Sequence, residues 1–477
     1  MKIEELINFI RSGDFKGVSS NSKSVKKGFI FIAVKGAEED GSRFITEALA
    51  RGAKAVVCDS GVRRKLPSGV YLIKVKNTRL AAARLAAEFY RNPSDSLNVV
   101  GVTGTCGKTT VTYLLEAIIK KSGFKTAVIG TINWRFKGRV LPSKNTTPGP
   151  VELGSMMAQM VKEGVDYAAL EVSSHALDQG RVSGIKFHSA ILTNITHDHL
   201  DYHKTVGRYV AAKSKLFEGL NEKGIAVLNR DDKFYSSFKR LTKAKVIDYG
   251  LSPGSTVRAV NIKYSLKSTR FLLILPDHRV VVETSLIGRH NVYNLLAAFA
   301  WGYKEGLPLN KIKSAVEGFR FAPGRLERVS CKKGFSVFVD YAHTEDALKN
   351  AILALKNLSP SRIITVFGCG GKRDVLKRPR MGKVATELSD LVIITNDNPR
   401  SEDPNDIIRD IKSGIKRHNF SIIPDRREAI RHSLSIAQKG DVIIVAGKGH
   451  EGYQILGNKT IRFDDRREIK ICLESMN

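Results

Sequence analysis

From about residue 97 onward the chain alternates short, unbroken apolar runs with helical stretches, and this alternation narrows its possible folds more than any other feature. The runs are "NVVGVTG", "KTAVIGT", "DYAALEVSS", "SAILTNI", "GIAVLN" and "KVIDYG". A strand apolar on both faces must be covered on both, which is the condition of a parallel sheet with helices packed on each side. A second series follows "FAPGRLERV": "FSVFVDYA", "RIITVFGCGG", "LVIITND", "FSIIPD" and "DVIIVAGKG", each but the last followed by a helical stretch. Between the series lie a strand-rich insert, "TRFLLILPDHRVVVETSL", and a helix, "NVYNLLAAFAWGYKEG". Residues 1–93 are simpler: two β-like runs, "GFIFIAVKG" and "AKAVVCD", and an amphipathic helix, "TRLAAARLAAEFYRN", ended by Asn92-Pro93. "RNPSDS" reads as a linker.

Composition excludes several classes. The five cysteines (Cys58, Cys106, Cys331, Cys369, Cys472) are odd in number and widely spaced, which opposes a disulfide framework or zinc cluster and fits a reducing cytosol. The N-terminus lacks the apolar core of a signal peptide, and no apolar stretch approaches the ~20 residues of a membrane span. The formal charge is +31, from 78 Lys and Arg against 47 Asp and Glu. These cations are spread along the whole chain, with no RNA-recognition signature, zinc finger or basic zipper. They read as a lysine-rich surface whose field suits polyanionic small molecules, and no nucleic-acid partner is expected.

The stretch "GVTGTCGKTTV" (101–111) follows the apolar run "LNVV" and opens the helix "KTTVTYLLEAIIKKSG". Strand, glycine turn and helix N-terminus together form a phosphate cradle. The strict P-loop glycine would fall at Val102, so the loop is a variant in which Gly104 and Gly107 make the turns. Lys108 would neutralise terminal phosphates, Thr109 would reach a magnesium ion, and Thr105, Cys106 and Thr110 complete the nucleotide loop. Cys106, at a helix N-terminus beside Lys108, is expected to have a lowered thiol pKa and to be inactivated by alkylation unless MgATP protects it.

"TGTCGKTT" resembles the TGTxGKT/S signature of the Mur ligase family, with Cys106 where the nearest branch has Asn. The resemblance extends in order along the chain and implies the fold and site. The fold implied is α/β in three domains: a small mixed α/β N-terminal domain (1–93) binding a UDP-linked substrate, a central P-loop ATPase-like parallel-sheet domain (94–322), and a C-terminal Rossmann-like domain (323–477) for an incoming amino acid. "LEVSSHALDQGRV" (170–182) is similar to a block of the muramoyl-tripeptide synthetase branch. It implies Glu171 as a magnesium ligand and Ser173, Gln179 and Arg181 as contacts to a UDP-muramoyl-dipeptide. In "LTNITHDHLDYH" (192–203) the resemblance implies His199 as a ligand of the second magnesium ion; His197 and His203 read as structural. In "RYVAAKSKLF" the resemblance makes Lys213 a carbon-dioxide-derived carbamate, turning a cation that would repel a dication into an oxygen-donor anion. "NTTPGP" implies Asn145, Thr146 and Thr147 in the dipeptide site, and "SSNSKSVKKGFIFIAVKG" adds Ser20 and Ser22, although Asn21-Ser22-Lys23 departs from the family's Asp-Ser-Arg. "GRHNVYN" places Asn294 near adenine; "PGRLE" puts Arg325 at the terminal phosphate; "VDYAHT" supplies Asp340 for ribose, with Tyr341 and His343 around it.

The C-terminal blocks "GCGGKRD", "NDNPRSEDP" and "AGKGHE" resemble the branch's pattern for meso-diaminopimelate. They imply Arg373, Asp397, Asn398, Pro399, Arg400, Gly447 and Glu451 as its site. A guanidinium fork can grip the second carboxylate that lysine lacks. The resemblance thus implies an ATP- and magnesium-dependent, cytoplasmic, monomeric ligase of peptidoglycan precursor synthesis working through an acyl phosphate. A lysine-adding relative, a folylpolyglutamate synthetase and a nucleic-acid-stimulated ATPase stand as alternatives.

Overall fold

The structure, a computed structural model, describes residues 7–476 apart from 9, 12, 14, 37, 38 and 197. The strand Asn98–Thr103 lies at its centre, between Tyr167–Glu171 and Ser189–Leu192, and all three run parallel. Thr126–Ile129 continues the sheet on one side, Ile225–Asn229 and Lys245–Gly250 on the other, again parallel. Nearly every residue of these strands is buried, as the unbroken apolar runs require. Ligands of open α/β sheets bind at the carboxyl ends of such strands, and here those ends carry 104–107, 172–173 and 193–194.

The helix Lys108–Lys121 covers one face of this sheet. Val111, Leu114, Leu115, Ile118 and Ile119 form its apolar stripe, all fully buried. Arg289–Lys304 and Leu309–Gly318 pack beside it in the same core. The strand-rich insert is not a separate unit. Val257–Tyr264 joins the parallel edge at Lys245–Gly250, and Thr269–Ile274 and Arg279–Thr284 add antiparallel strands to it. A hairpin, Asn133–Phe136 with Arg139–Pro142, extends the opposite edge. The alternating pattern of the insert reflects a sheet end covered on one face only.

The N-terminal sheet is parallel throughout, in the order Gly17–Ser19, Phe29–Ile32, Ala55–Asp59, Tyr71–Val75. Its helix Thr78–Phe89 is capped by Asn77 Oδ1, which accepts from the amide of Leu80. The expected linker is a 3-10 turn, Pro93–Asp95, whose Pro93 and Ser94 are buried. Ser94 Oγ accepts from the amide of Lys186, so this segment is part of the contact with the central sheet.

In the C-terminal part, Ser336–Asp340, Val442–Ala446, Ile363–Phe367, Leu391–Ile394 and Phe420–Ile422 stand parallel in that order, with Glu327–Val329 antiparallel at the edge. Glu345–Lys356, Lys377–Leu388 and Pro404–Ser413 cover one face, and Arg426–Ser435 and Asp465–Ser475 the other. After the last parallel strand comes a hairpin, Tyr453–Leu456 and Lys459–Arg462, turned by Gly457-Asn458. No described helix is long and apolar enough to cross a membrane.

Trp301, fully buried, ties helix to sheet: its Nε1 donates to Ser189 Oγ at 2.9 Å, and its ring meets Tyr167 edge-on at 5.9 Å. Trp301→Ala is expected to destabilise the protein by about 3–5 kcal/mol, the usual loss for a large aromatic truncated in a core. The urea midpoint of unfolding measures it.

Candidate active site

The phosphate loop is shaped by two glycines that no other residue could replace. Gly104 and Gly107 have φ of +145° and +91°. A Cβ on the first would collide with Thr193 Oγ1, and on the second with Asn294 Oδ1. The loop is held from below by the neighbouring strand end: Cys106 N donates to Asn194 Oδ1 at 3.0 Å, while Thr193 Oγ1 and Asn194 Nδ2 donate to Cys106 O at 2.6 and 3.1 Å. Thr193 and Asn194 were not singled out from the sequence. Their place after a strand, in "LTNI", was the available signal.

Three charged side chains converge here. Lys108 Nζ donates to the carbonyls of Gly104 and Thr105, both at 2.9 Å. Lys213 Nζ, on the helix Val206–Glu218 capped by Thr205, donates to the same Gly104 carbonyl at 2.9 Å. Lys213 is 1% exposed. Burial, and then the neighbouring Lys108 charge, hold its pKa well below that of an ordinary lysine. Arg325 crosses from the C-terminal side, its Nη2 donating to Thr109 Oγ1 at 3.1 Å and its guanidinium lying 4.7 Å from the Tyr341 ring centre.

Opposite these cations Glu171 closes the strand Tyr167–Glu171 and is 1% exposed. Its Oε2 accepts from Thr109 Oγ1 at 3.1 Å and from Thr131 Oγ1 at 2.8 Å; its Oε1 accepts from the Thr131 amide at 3.0 Å. Thr131 was missed in the sequence because a threonine after a strand carries no spacing signature. Its hydroxyl also meets Thr146 Oγ1 at 3.1 Å. Thr147 Oγ1 donates to Glu171 O at 2.8 Å and accepts from the Ser173 amide at 3.0 Å. Arg181 then donates to Thr147 O at 2.9 Å and to Gln179 Oε1. Thr146, Thr147, Ser173, Gln179 and Arg181 are thus joined to Glu171 in one network. Asn145 is exposed, as is Ser20, and Ser22 is occupied in the N-terminal part, where its Oγ donates to Glu47 Oε2 at 2.7 Å.

His199 caps the short helix Leu200–His203 with φ +53°. Its ring stands 4.8 Å from His175, and His175 in turn meets Tyr202 and His203. Asp198, beside it, was not foreseen. Burial would raise its pKa, but His199, His343 and Lys108 together hold it below the ordinary value. His197 lies outside the described residues.

Thr109 Oγ1 and Glu171 Oε2 are hard oxygen donors and fit magnesium. Lys213 as an amine does not: protonated it repels the ion, and neutral it offers nitrogen where magnesium takes oxygen. Among the described residues, no group of three or more His, Cys, Asp or Glu side chains is arranged to hold a metal.

Around the nucleotide end, Asn294 Nδ2 donates to Asn291 Oδ1 at 3.1 Å. Asp340 Oδ2 accepts from the Leu326 amide at 2.7 Å, and burial pushes its carboxyl up to about 6. Tyr341 is flanked by His343 and His450 at 4.7 and 4.9 Å between ring centres. His343 Nδ1 lies 2.9 Å from the Tyr341 carbonyl oxygen.

The amino-acid candidates meet in the C-terminal part. Asn398 Nδ2 donates to Glu451 Oε2 at 2.8 Å, and a Cβ on Gly447 would stand 2.8 Å from Asp397 Oδ2. Arg400 has φ +56°; its amide donates to Ile455 O, and its Nη1 to Gly371 O at 2.9 Å. The Gly371 loop in turn packs on the Pro399 carbonyl. Arg373 is exposed on that loop and, with Arg400, faces the Tyr453 phenol. The hairpin after Glu451, which was not foreseen from the sequence, holds the Arg400 backbone: Arg400 N donates to Ile455 O and Gly457 N to Arg400 O.

Comparison with known proteins adds to this geometry. The Mur ligase middle domain matches residues 102–302, the Mur ligase glutamate ligase domain 324–449, and the Mur ligase family catalytic domain 14–90. A UDP-N-acetylmuramoyl-L-alanyl-D-glutamate–2,6-diaminopimelate ligase from Solibacter usitatus is 44% identical over 454 residues, 94% of this chain and 92% of its own. The chain belongs to the Mur ligase family. It is an ATP-dependent ligase of α/β architecture. A solved structure of a UDP-N-acetylmuramoyl-L-alanyl-D-glutamate–2,6-diaminopimelate ligase superposes with a TM-score of 0.69 at 33% identity, covering 97% of this chain and 95% of that one. The MurF ligase from Thermotoga maritima in complex with ADP shares the fold, with a TM-score of 0.66 at 20% identity over 97% and 98% of the two chains.

One expectation is corrected. Burial pushes the Cys106 thiol up, and the Lys108 charge does not offset it. Cys106 and Cys331 are both half-buried, so it is the raised thiol that is expected to make Cys106 slow to react with iodoacetamide at neutral pH. Peptide mass spectrometry of partially labelled protein decides between this and rapid inactivating alkylation.

Proposed function

We propose that this chain joins meso-diaminopimelate to the γ-carboxylate of D-glutamate in UDP-MurNAc-L-Ala-D-Glu, converting ATP to ADP and phosphate, as a cytoplasmic step of peptidoglycan precursor synthesis. The reading rests on one observation: a chain similar over almost its whole length to a diaminopimelate ligase encloses the carboxylates Asp397 and Glu451 around Lys448 and fixes Arg400 by a hydrogen bond to Gly371 O. The roles given to individual residues, the division at 1–93, 94–322 and 323–477, and the monomeric state belong to this proposal.

A carboxylate oxygen of D-glutamate attacks the γ-phosphorus of ATP; the bridging P–O bond breaks, and ADP leaves with its electron pair. Lys108 and Arg325 spread the charge that gathers on the transferring phosphoryl oxygens. Thr109 and Glu171 would hold the magnesium of MgATP, with His199 and carbamylated Lys213 serving a second ion, and bound there the ions withdraw charge from those oxygens. The neutral α-amine of the diamino acid then attacks the acyl carbon, the C–O bond to phosphate breaks, and the amine proton is lost. Asn145, Thr146, Thr147, Ser173, Gln179 and Arg181 hold the dipeptide end, with Ser20 and Ser22 toward its nucleotide. Asn294, Asp340, Tyr341 and His343 surround the adenosine. Arg373 and Arg400 take the distal carboxylate of the diamino acid, and Asp397, Asn398 and Glu451 its distal ammonium.

In a product assay offering meso-diaminopimelate and L-lysine separately, the tripeptide is expected from the first and little from the second. Arg400→Ala should lower kcat/KM for meso-diaminopimelate by roughly two orders of magnitude, as truncating one partner of a buried charge pair costs about 2–5 kcal/mol. Equal use of both amino acids by the unmodified protein would favour a lysine-adding enzyme.

Burial and the neighbouring Lys108 charge hold the Lys213 pKa well below that of an ordinary lysine, which enlarges the fraction of neutral amine, the form that adds to carbon dioxide. Protein equilibrated with ¹³C-bicarbonate is expected to show a carbamate carbonyl resonance that Lys213→Ala lacks. A spectrum identical for both proteins counts against the carbamate.

A further inference from the structure

Lys448 lies in the turn after the strand Val442–Ala446, and its side chain is wholly enclosed. A buried ammonium is retained only with partners for its charge and its three donors. Here Nζ donates to Asn398 Oδ1 at 3.3 Å and to Glu451 Oε2 at 3.2 Å, and Asp397 Oδ1 lies at 3.8 Å. The same atoms are knit to each other and to the hairpin. Asn398 Nδ2 donates to Glu451 Oε2 at 2.8 Å, Asn398 Oδ1 accepts from the Ile455 amide at 2.9 Å, and Gln454 Nε2 donates to Asp397 O at 2.8 Å.

We propose that Lys448 is the positioning residue of the amino-acid pocket, fixing the orientation and net charge of Asp397, Asn398 and Glu451. The proposal deepens the diamino-acid reading and rests on it. Two carboxylates and one ammonium leave a single net negative charge, which matches the one ammonium at the far end of the diamino acid. Arg373 and Arg400, whose charges act on Tyr453 together with those of Asp397 and Glu451, are left for the carboxylate. Without Lys448 the two carboxylates would face each other across a buried space, and one would take up a proton.

Glu451 is the member that responds. Burial raises its carboxyl, and Lys448 is the foremost opposing influence. The other charged or titratable groups in its electrostatic surroundings are Asp397, the phenols of Tyr341 and Tyr453, and the Arg426 guanidinium, which is itself paired with Asp465 at 2.8 Å. Removing Lys448 therefore raises the Glu451 pKa further. The protonated, non-binding form then forms at a higher pH than in the unmodified protein, and the loss deepens as pH falls.

The test is steady-state tripeptide synthesis by Lys448→Met, Lys448→Arg and the unmodified protein, from mildly alkaline to mildly acid pH. Taking kcat/KM for meso-diaminopimelate as a ratio to the unmodified protein cancels the ionisation of the amine itself. For Lys448→Met, KM for meso-diaminopimelate is expected to rise by about 30-fold or more, and the ratio to fall with falling pH, while KM for ATP stays within about twofold. Lys448→Arg keeps the cation, so its ratio should be independent of pH even where its KM is raised. A Lys448→Met enzyme with unchanged KM for the diamino acid, or with a loss equal at every pH and shared by ATP, overturns the proposal. Should Lys448→Met not fold, Lys448→Arg decides: a raised KM with a pH-independent ratio supports the proposal, and a pH-dependent ratio or an unchanged KM overturns it. If the unmodified protein makes no product from meso-diaminopimelate, the ligase reading itself falls and takes the proposal with it.

Discussion

A carboxylate sealed inside a protein needs every donor it can find, and Glu171 organises the central site for that reason. At 1% exposure it accepts from Thr109 and from the hydroxyl and amide of Thr131. Thr109 lies in the first turn of the helix after the phosphate loop; Thr131 follows the end of the next strand over, Thr126–Ile129; Thr147 grips the Glu171 backbone. One buried charge thereby draws the nucleotide loop and the dipeptide loop to the same point. Against it stand Lys108 and Arg325, so the site is a balance of opposite charges in a medium of low dielectric.

The C-terminal half repeats this solution with different parts. A buried ammonium, Lys448, takes the place of the buried carboxylate, and acids gather around it. Arg325 joins the halves: its chain segment belongs with the C-terminal sheet, yet its guanidinium reaches Thr109 of the phosphate loop. A reaction that activates an acid on one side and delivers an amine from the other needs such a bridge, because the activated acid is exposed to water unless both sides meet.

Much of the fold was legible in the chain because buried strands and amphipathic helices carry their periodicity locally. The helix opening at Lys108 and the one capped by Thr205 lie where "KTTV" and "TVGRYV" place them. Burial of Pro93 and Ser94 in the expected linker, and attachment of Val257–Tyr264 to the central sheet, were not legible in the chain because both depend on surfaces supplied by distant residues. Cys106 was misjudged in the same way. A helix N-terminus and a lysine are visible in sequence, whereas the desolvation that outweighs them is not.

Local order of residues determined which segments are strands, which loops end in glycine turns, and which side chains sit after a strand end, since each of these depends on neighbours a few positions away. Only the tertiary structure decided that Thr131 and Thr109 share one carboxylate, that Lys108 and Lys213 share one carbonyl, and that Lys448 is enclosed with Asp397, Asn398 and Glu451. Those pairings join residues far apart in the chain, and their energies arise from exclusion of water, a property of the packed whole that no stretch of sequence carries by itself.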